Sequence, residues 1–152
     1  MLKTTIDVKF KIGDVIEIKE NSPTEIPAGV YVVYLIATTS SASDKGVVTK
    51  NEYFLENTNS QDRDWSLYDD EISENDDSIK LLDKKADLYK VTYRDVEDNE
   101  YLDDLVYVPS DIPVDKAYLE KRVEITRYDA DDRGVIKHTA NVLAWELVGE
   151  KL

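Results

Sequence analysis

Few residues in this chain have the types and spacing that chemistry needs. His138 is the single histidine, and a lone imidazole acts as a general base only beside a group that can orient it. It stands in an alternating run next to a charged hairpin, the setting of an ordinary strand histidine. There is no cysteine, which removes thiolate nucleophiles, disulfides and Cys-based zinc sites. No Gly-x-Ser-x-Gly elbow, phosphate loop or His-x-x-x-His pair occurs. Asp129-x-Asp131 followed by Gly134 opens like a calcium loop, but Arg133 and Ala140 stand where oxygen ligands belong. Carboxylate pairs can hydrolyse glycosides, yet among 33 acids no pair is singled out. The expectation is a protein that is not an enzyme and takes neither metal nor cofactor.

What the chain has in excess is carboxylate. Its formal charge is −14 over 152 residues, and the imbalance is local. Residues 1–50 hold six acids and six bases, residues 51–112 hold 19 acids and six bases, and residues 113–152 hold eight and seven. The centre of this excess is the stretch DWSLYDDEISENDD at 64–77. A solvated face is the plain reading of such a run. The functional reading is a surface that imitates nucleic acid, because duplex DNA carries one negative charge per ~1.7 Å and its partners carry matching Lys/Arg grooves. Carboxylates on alternate residues of a strand, with a rise of ~3.3 Å per residue, fall near the spacing of phosphates along one strand. Asp62 with Asp64, Asp69 with Glu71, Asp95 with Glu97, and Asp98 with Glu100 have that spacing.

The candidate partner-binding residues are therefore Asp69, Asp70, Glu71, Glu74, Asp76, Asp77, Glu97, Asp98, Glu100, Asp103 and Asp104. Tyr68, Tyr93 and Tyr101 stand among them as interface anchors. Tyrosines also stack on single-stranded nucleic acid, but that mode needs a positive groove. The aromatic-rich centre here is negative, so direct nucleic-acid binding is not expected.

The elements that must carry these residues are mostly strands. Ile6, Val8, Phe10 and Ile12 alternate with polar residues, and Gly13-Asp14 separates them from Val15–Ile18. Val30–Ala37 reads as a buried strand, residues 38–46 as a polar connection, and Val47–Leu55 and Trp65–Tyr68 as further strands. Phe10-Lys-Ile-Gly-Asp-Val-Ile-Glu-Ile18, closed by Asp64-Trp-Ser-Leu-Tyr-Asp-Asp-Glu-Ile72, resembles the SH3-like small barrels of bacteriophage accessory proteins. That resemblance covers about half the chain and implies a phage origin and a binding role. Residues 75–86 read as a charged connection. Beyond it come Tyr89–Tyr93, a turn at 95–100, Tyr101–Val108, a short helix within 111–120, and strands Arg122–Tyr128 and Val135–Val148 around a turn at 129–134.

The expected fold is mainly β, a β-rich α+β protein. An SH3-like barrel or twisted sheet over 1–74 is followed by an antiparallel unit with one or two short helices over 87–152, with a single compact domain as the alternative. No run reaches the roughly 18 apolar residues that a membrane helix needs, and no signal-peptide core occurs at the start. The expected setting is the cytoplasm of a bacterial host, with a basic nucleic-acid-binding protein as partner, no membrane, and a monomer or small homo-oligomer. The leading expectation is a nucleic-acid mimic of the anti-CRISPR or anti-restriction type. A β-rich virion component (connector, tail or decoration protein) is the alternative, since Val142–Val148 is apolar on both faces. An immunity protein of a basic toxin nuclease is the third.

Overall fold

The computed structural model of the chain describes residues 8–20, 22–75, 77–128 and 134–149. The chain divides into two compact units, Met1–Asn57 with Asp62–Asp83, and Thr58–Gln61 with Lys84–Leu152. Among the described residues both are built mainly of antiparallel strands, with one short helix each. No helix among the described residues is long and apolar enough to cross a membrane.

The first unit holds β1 (Asp14–Ile18), β2 (Gly29–Ser43), β3 (Gly46–Asn57), β4 (Trp65–Tyr68), helix α1 (Asp69–Glu74) and the start of β5 (Ile79–Asp95). Its strands pair in the order β4-β3-β2-β1, an open antiparallel sheet with the start of β5 beside β1. No β4–β1 pairing closes it into a barrel among the described residues. Alternate β-branched and aromatic residues supply the inner face, as a pleated strand requires. Ile16, Ile18, Tyr31, Val33, Tyr53, Leu55 and Leu67 are all buried there. Phe10 meets Tyr53 edge-on, with ring centroids 5.4 Å apart at 72°.

The β2–β3 hairpin continues past this core. Ala37–Val48 is exposed throughout, and the ladder runs from Ala37↔Glu52 to Ser43↔Gly46. The Ser/Thr-rich run at 38–46, expected as a connection, is therefore mostly strand. Its polarity follows from water on both faces, while its threonines keep β propensity. Thr38 Oγ1 donates to Asn51 Oδ1 across the strands at 2.7 Å. Gly46, at φ +116°, makes the reversal.

The second unit contains the rest of β5, then β6 (Glu100–Pro109), α2 (Lys116–Arg122), β7 (Ile125–Tyr128), β8 (Val135–His138) and β9 (Ala140–Gly149). β5 lies between β6 and β9, matching Val91 to Asp104 on one side and to Trp145 on the other. β7 and β8 form a separate antiparallel pair. Val91, Tyr93, Val106, Val108, Leu119, Val123, Ile125 and Val142 make the core. Helix α2 starts at Asp115, whose Oδ1 accepts from the Tyr118 amide at 2.8 Å. Lys121 and Arg122 in its last turn complement the helix dipole.

Three further expectations change. Residues 8–12 lie outside any strand, and Ile6 falls outside the described residues. The charged segment at 75–86 has turn residues at 75 and at 77–78, followed by the opening of β5, which runs unbroken to Asp95. Val135–Val148 is two strands separated at Thr139. The turn at Asp129–Arg133, with its calcium-like spacing, lies outside the described residues.

Candidate acidic surfaces and a carboxylate–histidine cluster

DWSLYDDEISENDD changes structure midway. Trp65–Tyr68 is strand β4, paired with β3 from Glu52↔Tyr68 to Leu55↔Trp65, and the acids that follow open helix α1. Asp69, Asp70 and Glu71 fill the first turn, where carboxylates face the positive end of the helix dipole. Glu71 Oε1 accepts from the Tyr68 amide at 3.1 Å, and Ile72 anchors the helix in the core. Asp69 and Glu71 are thus not alternate outward positions of a strand.

Asp69 points inward. Its carboxylate accepts from the Asn51 amide at 3.1 Å, Asn51 Nδ2 at 3.0 Å and the Tyr53 hydroxyl at 2.8 Å. It ties α1 to β3 and is not available to a partner. Tyr68 is half-buried, with Lys50 Nζ 4.3 Å from its ring centroid. Asp62 accepts from the Asp64 amide at 3.0 Å and from Trp65 Nε1 at 2.8 Å, so it too is engaged locally. Asp70, Glu74 and Asp77 are exposed, and none of their side chains has an ion pair or hydrogen bond among the described residues. Asp76 lies outside the described residues.

The second group gathers at the β5–β6 turn. Asp95, fully buried at the end of β5, accepts from the amides of Glu97 and Asp98 through Oδ1, at 3.1 and 3.2 Å. Asn99 then turns the chain at φ +53°. The His138 imidazole faces Asp95, with Nδ1 2.8 Å from Oδ2 and 3.0 Å from Oδ1. Arg127 reaches the same place from β7, with Nε 3.5 Å from both Asp95 Oδ2 and Asp98 Oδ2, and Nη2 3.0 Å from Glu100 Oε2. Glu97 accepts from the Thr139 amide at 2.8 Å and from its hydroxyl at 3.0 Å.

These contacts set the protonation states. The hydrogen bond to Asp95 raises the His138 pKa, against an opposing effect of burial, and Asp95, Asp98 and Glu97 add to the rise. Burial alone would push the Asp95 carboxyl up. His138 and the two turn amides outweigh it, so it sits below the usual range. Glu97 is lowered chiefly by the Thr139 amide.

Asp95, Glu97 and His138 place ligand-type atoms within 4.8 Å of one another. Protein donors already occupy their oxygens, however, and Arg127 brings a positive charge to the same spot. The arrangement suits an imidazolium held among carboxylates better than a divalent cation. An orienting carboxylate beside an imidazole is also the supporting half of a nucleophilic triad. Among the described residues the imidazole's hydrogen bonds go to Asp95 alone.

The remaining candidates separate. Tyr93 is 5% exposed and belongs to the core, so it is no interface anchor. Tyr101 is 67% exposed. Asp103 is exposed and accepts from Thr92 Oγ1 at 2.8 Å, whereas Asp104 is half-buried and accepts from the next amide. Asp95, which its spacing with Glu97 marks as an outward carboxylate, is fully buried instead, and Arg127 is not among the sequence candidates. The turn sequence Asp95-Val-Glu-Asp98 carries the only local signal, an Asp able to accept amides two and three residues on. Comparison with protein-family models, curated proteins and solved structures finds no match for the chain.

Proposed function

We propose that this is a non-enzymatic acidic binding protein that occupies a basic, nucleic-acid-binding surface on another protein. In its finer form the target is a bacterial defence nuclease, and the protein an inhibitor of the anti-CRISPR or anti-restriction kind. One observation carries this reading: the side chains of Asp70, Glu74 and Asp77 are exposed within eight residues and have no partner among the described residues. Asp70 and Glu74 stand four apart on one helical face, where like charges repel. Glu74 also sits in the last turn, which holds no basic residue, against the helix dipole. Local stability does not account for such an arrangement, whereas a positive partner does. In the second unit Glu97, Asp98 and Glu100 add exposed carboxylate around Arg127, with Tyr101 exposed beside them.

The test uses the full chain and a variant carrying Asp70→Lys, Glu74→Lys and Asp77→Lys. Each is used to capture proteins from bacterial lysate at low and high salt, and each captured protein is then titrated for nucleic-acid binding. The expected result is a basic nucleic-acid-binding protein that is retained by the natural chain, released by salt, lost with the variant, and blocked from its nucleic acid. Equal capture by both chains, or a captured protein still able to bind nucleic acid, rejects the reading.

A second reading, a β-rich virion component, is favoured by a different feature. The end of the β2–β3 hairpin projects past its core, with Val47 at 64% and Val48 at 63% exposure. Rings or filaments in electron micrographs of the pure protein would favour that reading over the first.

A further inference from the structure

β9 is an outer strand of the second unit. It pairs with β5 and, among the described residues, with no other strand. Every residue from Leu143 to Val148 is exposed, with Leu143 at 47%, Trp145 at 39%, Leu147 at 47% and Val148 at 53%. An apolar edge of this kind is a template for another strand unless charge, proline or a cover blunts it. β9 has no proline, and its one charge is Glu146. Near its start the Val142 amide donates to Glu120 Oε2 at 2.9 Å, which closes that end alone.

Two features identify the occupant. The segment reads almost alike in both directions about Trp145: Val142-Leu-Ala144 before it, Glu146-Leu-Val148 after it. In an antiparallel pairing of two identical strands about a two-fold axis, such a sequence largely sets residues of matching size and polarity opposite each other. Centred on Trp145, it sets Trp145 against its own copy, Leu143 against Leu147, Val142 against Val148, and Ala144 against Glu146. The second feature is charge. Two copies of a −14 chain repel over most of their surfaces, and β9 offers ten residues with a single acid, set opposite an alanine rather than its own copy. Between irregularities at either end, Ala144–Leu147 runs in even register with Thr92–Tyr89, so the centre of the pairing is straight strand.

We infer that β9 joins β9 of a second copy of this chain, antiparallel about Trp145, and makes the protein a two-fold dimer. This does not depend on what the acidic surfaces bind.

Sedimentation of the full chain over a concentration series tests it. The natural chain is expected to show a monomer–dimer equilibrium. Ala144→Glu sets like charges opposite each other at two symmetric places and should weaken the dimer roughly tenfold, while Ala144→Lys faces Glu146 and should tighten it by about as much. A chain that stays monomeric at its highest soluble concentration overturns the inference, as does the same response to both substitutions. Should the Glu variant fail to fold, Trp145→Cys supplies the second test, because the chain has no cysteine of its own. Opposed residues in an antiparallel pair hold their Cβ atoms ~4.5–5.5 Å apart, near enough for oxidation to bridge them with slight adjustment. A covalent dimer under oxidant supports the pairing, and its absence overturns it.

Discussion

The Nδ1 of His138 lies 2.8 Å from Oδ2 of Asp95, whose side chain is fully closed to solvent. The contact fastens β8 to the end of β5, and its strength depends on pH. The imidazole's pKa is raised on folding, so its contribution is complete below its unfolded value of about 6.5 and is lost as pH rises through the higher folded value. The Asp95 carboxyl is lowered, so its contribution is present above about 3.9 and is lost as pH falls through the lower folded value. The pair therefore stabilises most between about pH 4 and 6.5. Urea midpoints should fall from pH 6 to pH 9 in the natural chain, and the fall should be smaller in His138→Gln. As the chain has one histidine, its imidazole resonance can be followed directly. Titration at or below the free-peptide value rules out the coupling.

Arg122 governs the second unit in another way. Its side chain is 1% exposed, yet it lies at the end of a short helix. It donates to the Ser60 carbonyl at 3.1 Å and to the Thr58 carbonyl at 3.5 Å, and it reaches the Tyr118 hydroxyl. Tyr118 in turn donates to the Thr58 carbonyl at 2.7 Å. These bonds explain why Thr58–Gln61 belongs with residues that follow it by more than twenty positions. Arg122→Met leaves the two carbonyls short of a donor and should cost roughly 3 kcal/mol in urea unfolding. Tyr118→Phe should cost about 1 kcal/mol. Lysine at 122 should recover only part of the loss, since it lacks the planar fork.

Sequence reading reaches features that depend on neighbours along the chain. Trp65–Tyr68, Tyr89–Tyr93 and Tyr101–Val108 alternate as strands do, and all lie in strands. The concentration of acid in the middle third is equally visible. Three kinds of feature escape it. Residues 38–46 look like a loop because polarity signals exposure, and here exposure arises from a hairpin wet on both faces. The partnership of Asp95 with His138 spans 43 positions and depends on how β8 returns to the β5–β6 turn. Direction of side chains is the third gap. Asp69 and Asp70 are identical in type and adjacent, but one faces Asn51 and Tyr53 while the other faces water.

That difference between neighbours yields a last prediction. Asp69→Asn turns an acceptor of three hydrogen bonds into a group that also brings donors among donors, and it should destabilise by about 2 kcal/mol. Glu74→Lys also removes one negative charge from α1, but with the opposite sign of effect. It replaces repulsion from Asp70 by attraction and places a cation at the helix C-terminus, which should stabilise by about 0.5–1 kcal/mol. Thermal and urea unfolding of the two variants against the natural chain decide this. Should Glu74→Lys prove more stable and yet bind the partner less well, the exposed acid of α1 is kept for binding and not for folding. Should it lose stability as Asp69→Asn does, the carboxylates of α1 all serve the fold, and the acidic surface of the first unit has no surplus charge to offer a partner.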